Sequence, residues 1–161
     1  TNTSWTRSSV PYLVRSTSTF FKEVSVRSNT LTIEPGTEIF FENGNGITVH
    51  DGGTLVAQGT TDSPIIFQGF DPVPGAWSGI YFNDTSTPNR ITNAEIRHAG
   101  AEKDFAKGGI IMRTNPVVSL SDILFEDIDG CSVFHKSDTQ NPNLTTNNLS
   151  HMNTQGALCT E

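Results

Sequence analysis

Four acids crowd into the stretch "SDILFEDIDGCS": Asp122, Glu126, Asp127 and Asp129. If Ile128 points into a core, Asp127 and Asp129 share the opposite face of a strand, about 6–7 Å apart. Two carboxylates so placed can hold a metal such as Ca²⁺, or divide acid and base work between them. Arg97 and His98 in "AEIRHAG", and Asn153 with His151 nearby, occupy near-equivalent places in neighbouring segments. Together they outline a polar groove across three turns of chain. The same residues read equally well as a solvated face on which Arg97 offsets its acidic neighbours by cross-strand pairing. Trp77 and Tyr81 in "VPGAWSGIYF", with Phe70 on the loop before them, are candidates for stacking on sugar rings. The competing reading folds Trp77 over the 68–76 loop.

The remaining reactive residue types carry less. No two of His50, His98, His135 and His151 stand at ligand spacing on one strand, so zinc is not expected. Cys131 and Cys159 fit no metal spacing. Read in neighbouring inward columns, their Cα atoms lie about 8 Å apart, beyond the roughly 7 Å limit for a bridge. Two buried thiols are the expectation; a register shifted by two residues would stack them and permit a disulfide.

The elements that must position these groups are strands. Only 34% of the 161 residues are hydrophobic and 17% are charged. A composition rich in Thr, Ser, Asn and Gly disfavours helices and suits short strands joined by polar turns. The balance of 10 basic against 17 acidic residues, a net charge of −7, excludes a nucleic-acid partner. No apolar run is long enough for a membrane span.

Period-two alternation recurs along the chain. Segments opening on Leu31, Ile47, Ile65, Ile91, Val117 and Leu144 align on their first apolar residue. Their second positions, Thr32, Thr48, Ile66, Thr92, Val118 and Thr145, read as an outward column of mostly β-branched residues. A later column aligns Gly79-Ile80-Tyr81-Phe82 with Gly109-Ile110-Ile111-Met112, Gly130-Cys131-Ser132-Val133 and Gly156-Ala157-Leu158-Cys159. Like residues stacked once per turn of chain mean a solenoid of parallel strands. Glu34-Pro35-Gly36-Thr37 has the residues of a type II turn, and Gly44-Asn45-Gly46 and Asp51-Gly52-Gly53 tolerate positive φ. Polar insertions at 68–76, 83–90, 100–108 and 136–143 interrupt the long coils, where such scaffolds place binding function.

The run "SNTLTIEPGTEIFFENGNGITVHDGGTLVAQGTTDSPIIFQG", followed by "GAWSGIYF", resembles right-handed parallel β-helix repeat proteins of the bacterial surface and secretome. The resemblance is strong over about residues 11–100 and implies the fold and an extracellular setting. Its motifs are scaffold motifs and transfer no catalytic residue. The Asn-Thr-Asp, Asp-Asp, Gly-His-Gly and Arg-Ile-Lys stretches of polygalacturonase-like enzymes are absent, and no convincing match to a pectate-lyase calcium site occurs.

The expected architecture is an all-β, right-handed parallel β-helix of about six coils over 31–161, with residues 1–30 as an N-terminal cap. The chain stops midway through a coil at "GALCTE", so the rod is expected to continue in a larger parent chain or a homo-oligomer. The expected function is non-catalytic adhesion or ligand binding, to a glycan or surface protein, by a secreted or cell-surface domain. The alternatives are a fragment of a polysaccharide lyase or glycoside hydrolase, and a structural spacer in a surface fibre. The expected ligand-binding residues are Trp77, Tyr81, Arg97, His98, Asp127, Asp129 and Asn153, with Asp127 and Asp129 for any Ca²⁺.

Overall fold

A computed structural model describes residues 1–16, 23–114, 116–136 and 143–160. The expected loop at 136–143, and Phe20 and Phe21 of the expected cap, fall largely outside the described residues. The described chain holds fifteen strands and no helix. Every pairing between these strands is parallel. They run β1 (Thr3–Trp5), β2 (Tyr12–Val14), β3 (Glu23–Arg27), β4 (Thr30–Ile33), β5 (Glu38–Phe41), β6 (Gly46–His50), β7 (Thr54–Gln58), β8 (Ile65–Gly69) and β9 (Ile80–Asn83). Then follow β10 (Asn89–Arg97), β11 (Gly108–Arg113), β12 (Val117–Glu126), β13 (Cys131–His135), β14 (Asn143–Met152) and β15 (Gly156–Thr160).

Two stacks result. Sheet B is six strands deep, in the order β15-β13-β11-β9-β6-β3. Sheet A is bent: β1, β4 and β7 form one half and β2, β5 and β8 the other, while β10, β12 and β14 run through both. The molecule is therefore a β-solenoid of about five turns from first rung to last, one fewer than the six counted from sequence. Within the stretch expected as a cap, β1, β2 and β3 pair with β4, β5 and β6 and so form the first rung.

Inward columns hold the rungs together. Ile39, Phe67, Ile96 and Phe125 follow one another through paired rungs, all fully buried. His151 ends that column, its ring stacked on Phe125 at 5.7 Å and 10°. Burying each such side chain contributes about 1.5–3 kcal/mol. Asn89 takes a core position opposite Leu55 and Val118 without penalty, because all its polar atoms are used. Its Oδ1 accepts from Leu55 N at 2.8 Å, and its Nδ2 donates to Thr85 Oγ1, Thr87 O and Val117 O.

Corners are set by residues that tolerate left-handed backbone. Asn93, Asp122 and Asn148 mark the bend in β10, β12 and β14, with φ of 45°, 56° and 50°. Asn and Asp meet this conformation at lower cost than other non-glycine residues. Side chains then tie corner to corner: Asn148 Nδ2 donates to Asp122 Oδ1 at 2.6 Å, and Ser121 Oγ to Asp122 Oδ2 at 2.7 Å. These two donors hold the Asp122 carboxyl below its ordinary pKa. The Pro35-Gly36 and Asp51-Gly52 turns fall where the sequence placed them, with Gly36 at φ 73° and Gly52 at 74°.

Three register expectations are corrected. The opening column mixed the two sheets. Ile47 pairs with Val24 and Ile80 in sheet B, whereas Leu31 pairs with Leu55, and Ile91 with Ala57 and Leu120, in sheet A. The column of Thr32 and Thr48 dissolves for the same reason. In sheet B, Ile110 and Met112 stack on Ile80 and Phe82 as expected, but Val133 pairs with Ile110 and Cys131 with Gly108.

The cysteine expectation falls with that register. Cys131 lies opposite Gly156, and Cys159 opposite Phe134, with the two Cα atoms 6.1 Å apart and a Cys131–Cys159 disulfide between them. Gly156 makes room for it, since a Cβ there would sit 3.1 Å from the Cys159 sulfur. The bridge closes a sequence separation of 28 residues and ties the last rung to the one before. By loop-closure entropy its removal costs about 3.5 kcal/mol. The variant Cys159→Ser is expected to lower the urea midpoint and to become insensitive to reductant. A midpoint equal to the wild type's would show that the last rung needs no staple.

Candidate functional site

Past the bend, the outer face of sheet A presents two ladders of side chains. One runs Leu13, Phe40, Gln68, Arg97, Glu126 and Met152. The other runs Glu38, Ile66, Glu95, Leu124 and Ser150. Alternation along "EIFF", "IIFQG" and "AEIRHAG" dictates this, because Ile39, Phe67 and Ile96 turn inward and their neighbours must turn out.

The first ladder is polar in the middle and apolar at its ends, while the second alternates polar and apolar residues. Gln68 Nε2 donates to Glu38 Oε1 at 2.6 Å. Arg97 lies between two acids, its Nη2 2.5 Å from Glu95 Oε2 and its Nε 3.1 Å from Glu126 Oε2. These are ionic contacts with poor alignment: neither Glu95 Oε2 nor Arg97 Nε meets hydrogen-bond geometry, although both atoms are buried. His98 follows in a left-handed corner at φ 62°, its buried Nδ1 also without a partner. Burial lowers the His98 pKa, outweighing the opposing pull of the Asp127 carboxylate, so the ring is neutral at neutral pH. At the N-terminal end of the face Phe40 meets Phe70 edge-on at 6.3 Å and 73°, with Phe70 57% exposed.

Ridges border the face. On one side a cleft of about 390 Å³ runs along the corner ladder, lined by Thr60, Thr61, Asn93, Glu95, Asp122 and Asn148 among others. On the other, the turn carrying Phe70 and Asp71 encloses a depression of about 320 Å³ with Glu42, Asn43 and Asn45. Glu42 is paired with Arg15 at 2.9 Å.

The residues expected from sequence separate into three groups. Arg97 and His98 lie on or beside the face, and Asp127 and Asn153 continue the His98 corner. Asn153 Nδ2 donates to Asp127 Oδ1 at 2.7 Å, both residues being left-handed. Asp127 and Asp129 flank a buried Ile128 as expected but are engaged by different partners, because Asp129 is held by Lys107 at 2.8 Å. Among the described residues no three His, Cys, Asp or Glu side chains converge on a common point. Trp77 is not a sugar platform. It is fully buried, stacked on Phe41 at 4.1 Å and 6°, with Nε1 donating to Arg97 O at 2.7 Å. An indole without a polar tip at the surface offers nothing to a ligand, and its place is the third corner of the core.

Tyr81 is likewise covered. It points out of sheet B but lies under the 103–106 turn, packed with Ala106, Ile111 and Phe134. Lys103 holds that turn down. Its amine sits 5.0 Å from the Tyr81 ring centre and donates to Thr48 Oγ1 at 2.7 Å and to Glu23 Oε2. Sequence reasoning named Phe70 but missed Phe40, Gln68, Glu38 and Glu95. Alternation with the inward Ile39, Phe67 and Ile96 turns all four outward, and the pairing register gathers them.

Comparison with family models, with characterised proteins and with solved structures returns no match.

The Lys103 strap has a pH signature. Burial pushes the Glu23 carboxyl up, but hydrogen bonds from Lys103 and Thr48 outweigh it and hold the group below its ordinary value of 4.5. A depressed folded pKa contributes stability that is present above 4.5 and lost as pH falls through the folded value. Lys103→Met should therefore flatten the fall in melting temperature below pH 4.5 relative to wild type. Parallel melting curves for the two proteins would show that the ion pair contributes nothing.

Proposed function

We propose that this chain is a non-catalytic ligand-binding or adhesion module of a secreted or surface-attached bacterial β-helix protein, with a glycan as ligand. One observation carries the reading. The exposed Phe70, edge-on to Phe40, adjoins a ladder of polar side chains, Gln68, Arg97 and Glu126, on one face of the sheet. Sugars combine hydroxyls with apolar ring faces, and such a face suits both.

Binding rather than turnover is supported by the state of the acids. Glu95 and Glu126 both contact Arg97, and Gln68 donates to Glu38. A lyase or hydrolase would need a carboxyl group free to face the substrate, and each of these is engaged by a neighbouring side chain. The described residues include no helix long and apolar enough to cross a membrane.

The test is retention on a panel of polysaccharides, scored together with newly formed reducing or unsaturated ends. Retention without product is expected, reduced about fivefold to tenfold by Phe70→Ala, as loss of one stacking ring implies. Phe70 is exposed, so the variant should keep the wild-type melting temperature. Product formation would overturn the non-catalytic reading, and absence of retention on every polysaccharide would overturn the glycan.

A further inference from the structure

The geometry points to a face that selects uncharged polysaccharide and rejects polyuronate, with Arg97 as the residue that sets the choice. This rests on the glycan-binding reading above and adds the chemical class of the ligand.

A polyuronate carries a carboxylate on every sugar and needs unpaired cations to meet them. The strands of the face present Glu38, Glu95 and Glu126; the cleft adds Asp122 and the depression adds Asp71 and Glu42. Among the described residues two arginines contact these acids. Arg15 pairs with Glu42, and Arg97 is shared between Glu95 and Glu126. Arg97 would therefore have to leave two carboxylates to receive a third, while the surplus acids repel the ligand. The whole chain, at −7, adds to that field.

A neutral sugar meets the opposite situation. Carboxylates accept from hydroxyls and amides both accept and donate, so Glu38, Gln68, Glu95 and Glu126 can meet hydroxyls without giving up the contacts they already make. His98 is neutral at neutral pH, so its Nδ1 side adds no cation for an acidic ligand. Specificity here comes from repulsion of the wrong ligand as much as from attraction of the right one.

The test uses one backbone with and without charge: homogalacturonan fully methyl-esterified, the same polymer de-esterified, and a neutral β-glucan as a third probe. At low salt the wild type is expected to retain the acid form at least tenfold more weakly than the better retained uncharged polymer. The difference should narrow at high salt as the surface charges are screened. The double variant Glu95→Gln/Glu126→Gln leaves Arg97 without its two acids. It should raise the ratio of acid-form to uncharged-polymer retention by about tenfold. Equal or stronger wild-type retention of the acid form would overturn the inference while leaving glycan binding in place. So would a double variant that folds but does not raise that ratio. Failure of all three polymers to bind would remove both readings together.

Discussion

Parallel strands stacked about 4.8 Å apart leave each side chain one neighbour above and one below, and both belong to its own column. That spacing governs the molecule. An inward column tolerates only side chains that can lie on each other, so Ile39, Phe67, Ile96 and Phe125 succeed one another and a histidine ring closes the series flat on Phe125. Where the column meets a polar residue, as at Asn89, the amide must satisfy backbone groups on both adjoining rungs, and it does. The corners obey the same rule in another form. Left-handed residues recur at Asn93, Asp122 and Asn148 because a rung that turned elsewhere would lose its register with both neighbours.

The variable length of the turns is absorbed at the corners. Successive rungs are separated by 23 residues from Arg27 to His50 but by 34 from Val56 to Arg90, each pair being register partners. Extra residues leave the stack as excursions and return to the same column. One carries Phe70 to the edge of the sheet A face; another folds back over Tyr81 and is pinned by Lys103 to two earlier rungs, through Glu23 and Thr48. Two polar insertions thus have opposite consequences, exposing one aromatic and burying another. What decides is whether the returning chain finds an outward apolar cluster to cover.

This explains what could and could not be read from the residues. Alternation and glycine turns are local properties, and they identified parallel rungs, the Pro35-Gly36 and Asp51-Gly52 turns, and the inward partners of Ile80 and Phe82. Register between rungs is not local. Both sheets are written in the same Ile, Val and Thr vocabulary, so Ile47 of sheet B was aligned with Leu31 of sheet A. A shift of two residues in sheet B separated the cysteines on paper and joined them in the fold. The candidate site inherits the same limit. Arg97 and His98 were recognisable, since their strand alternates plainly. Glu126 became a partner of Arg97, and Gln68 a neighbour, only once the rungs were paired.

Charge on a solenoid face follows from stacking as directly as the core does. Like charges directly above one another repel, and the ladder Gln68, Arg97, Glu126 avoids this by alternating a neutral, a cationic and an anionic group. The second ladder separates Glu38 from Glu95 by Ile66 and follows Glu95 with Leu124. Arg97 then reaches diagonally to Glu95 within its own strand while facing Glu126 on the next. A surface assembled this way is internally compensated before any ligand arrives. Among the described residues of the face, its arginines are in contact with acids and its acids are in excess, so its charge pattern is set by the stacking of its own rungs.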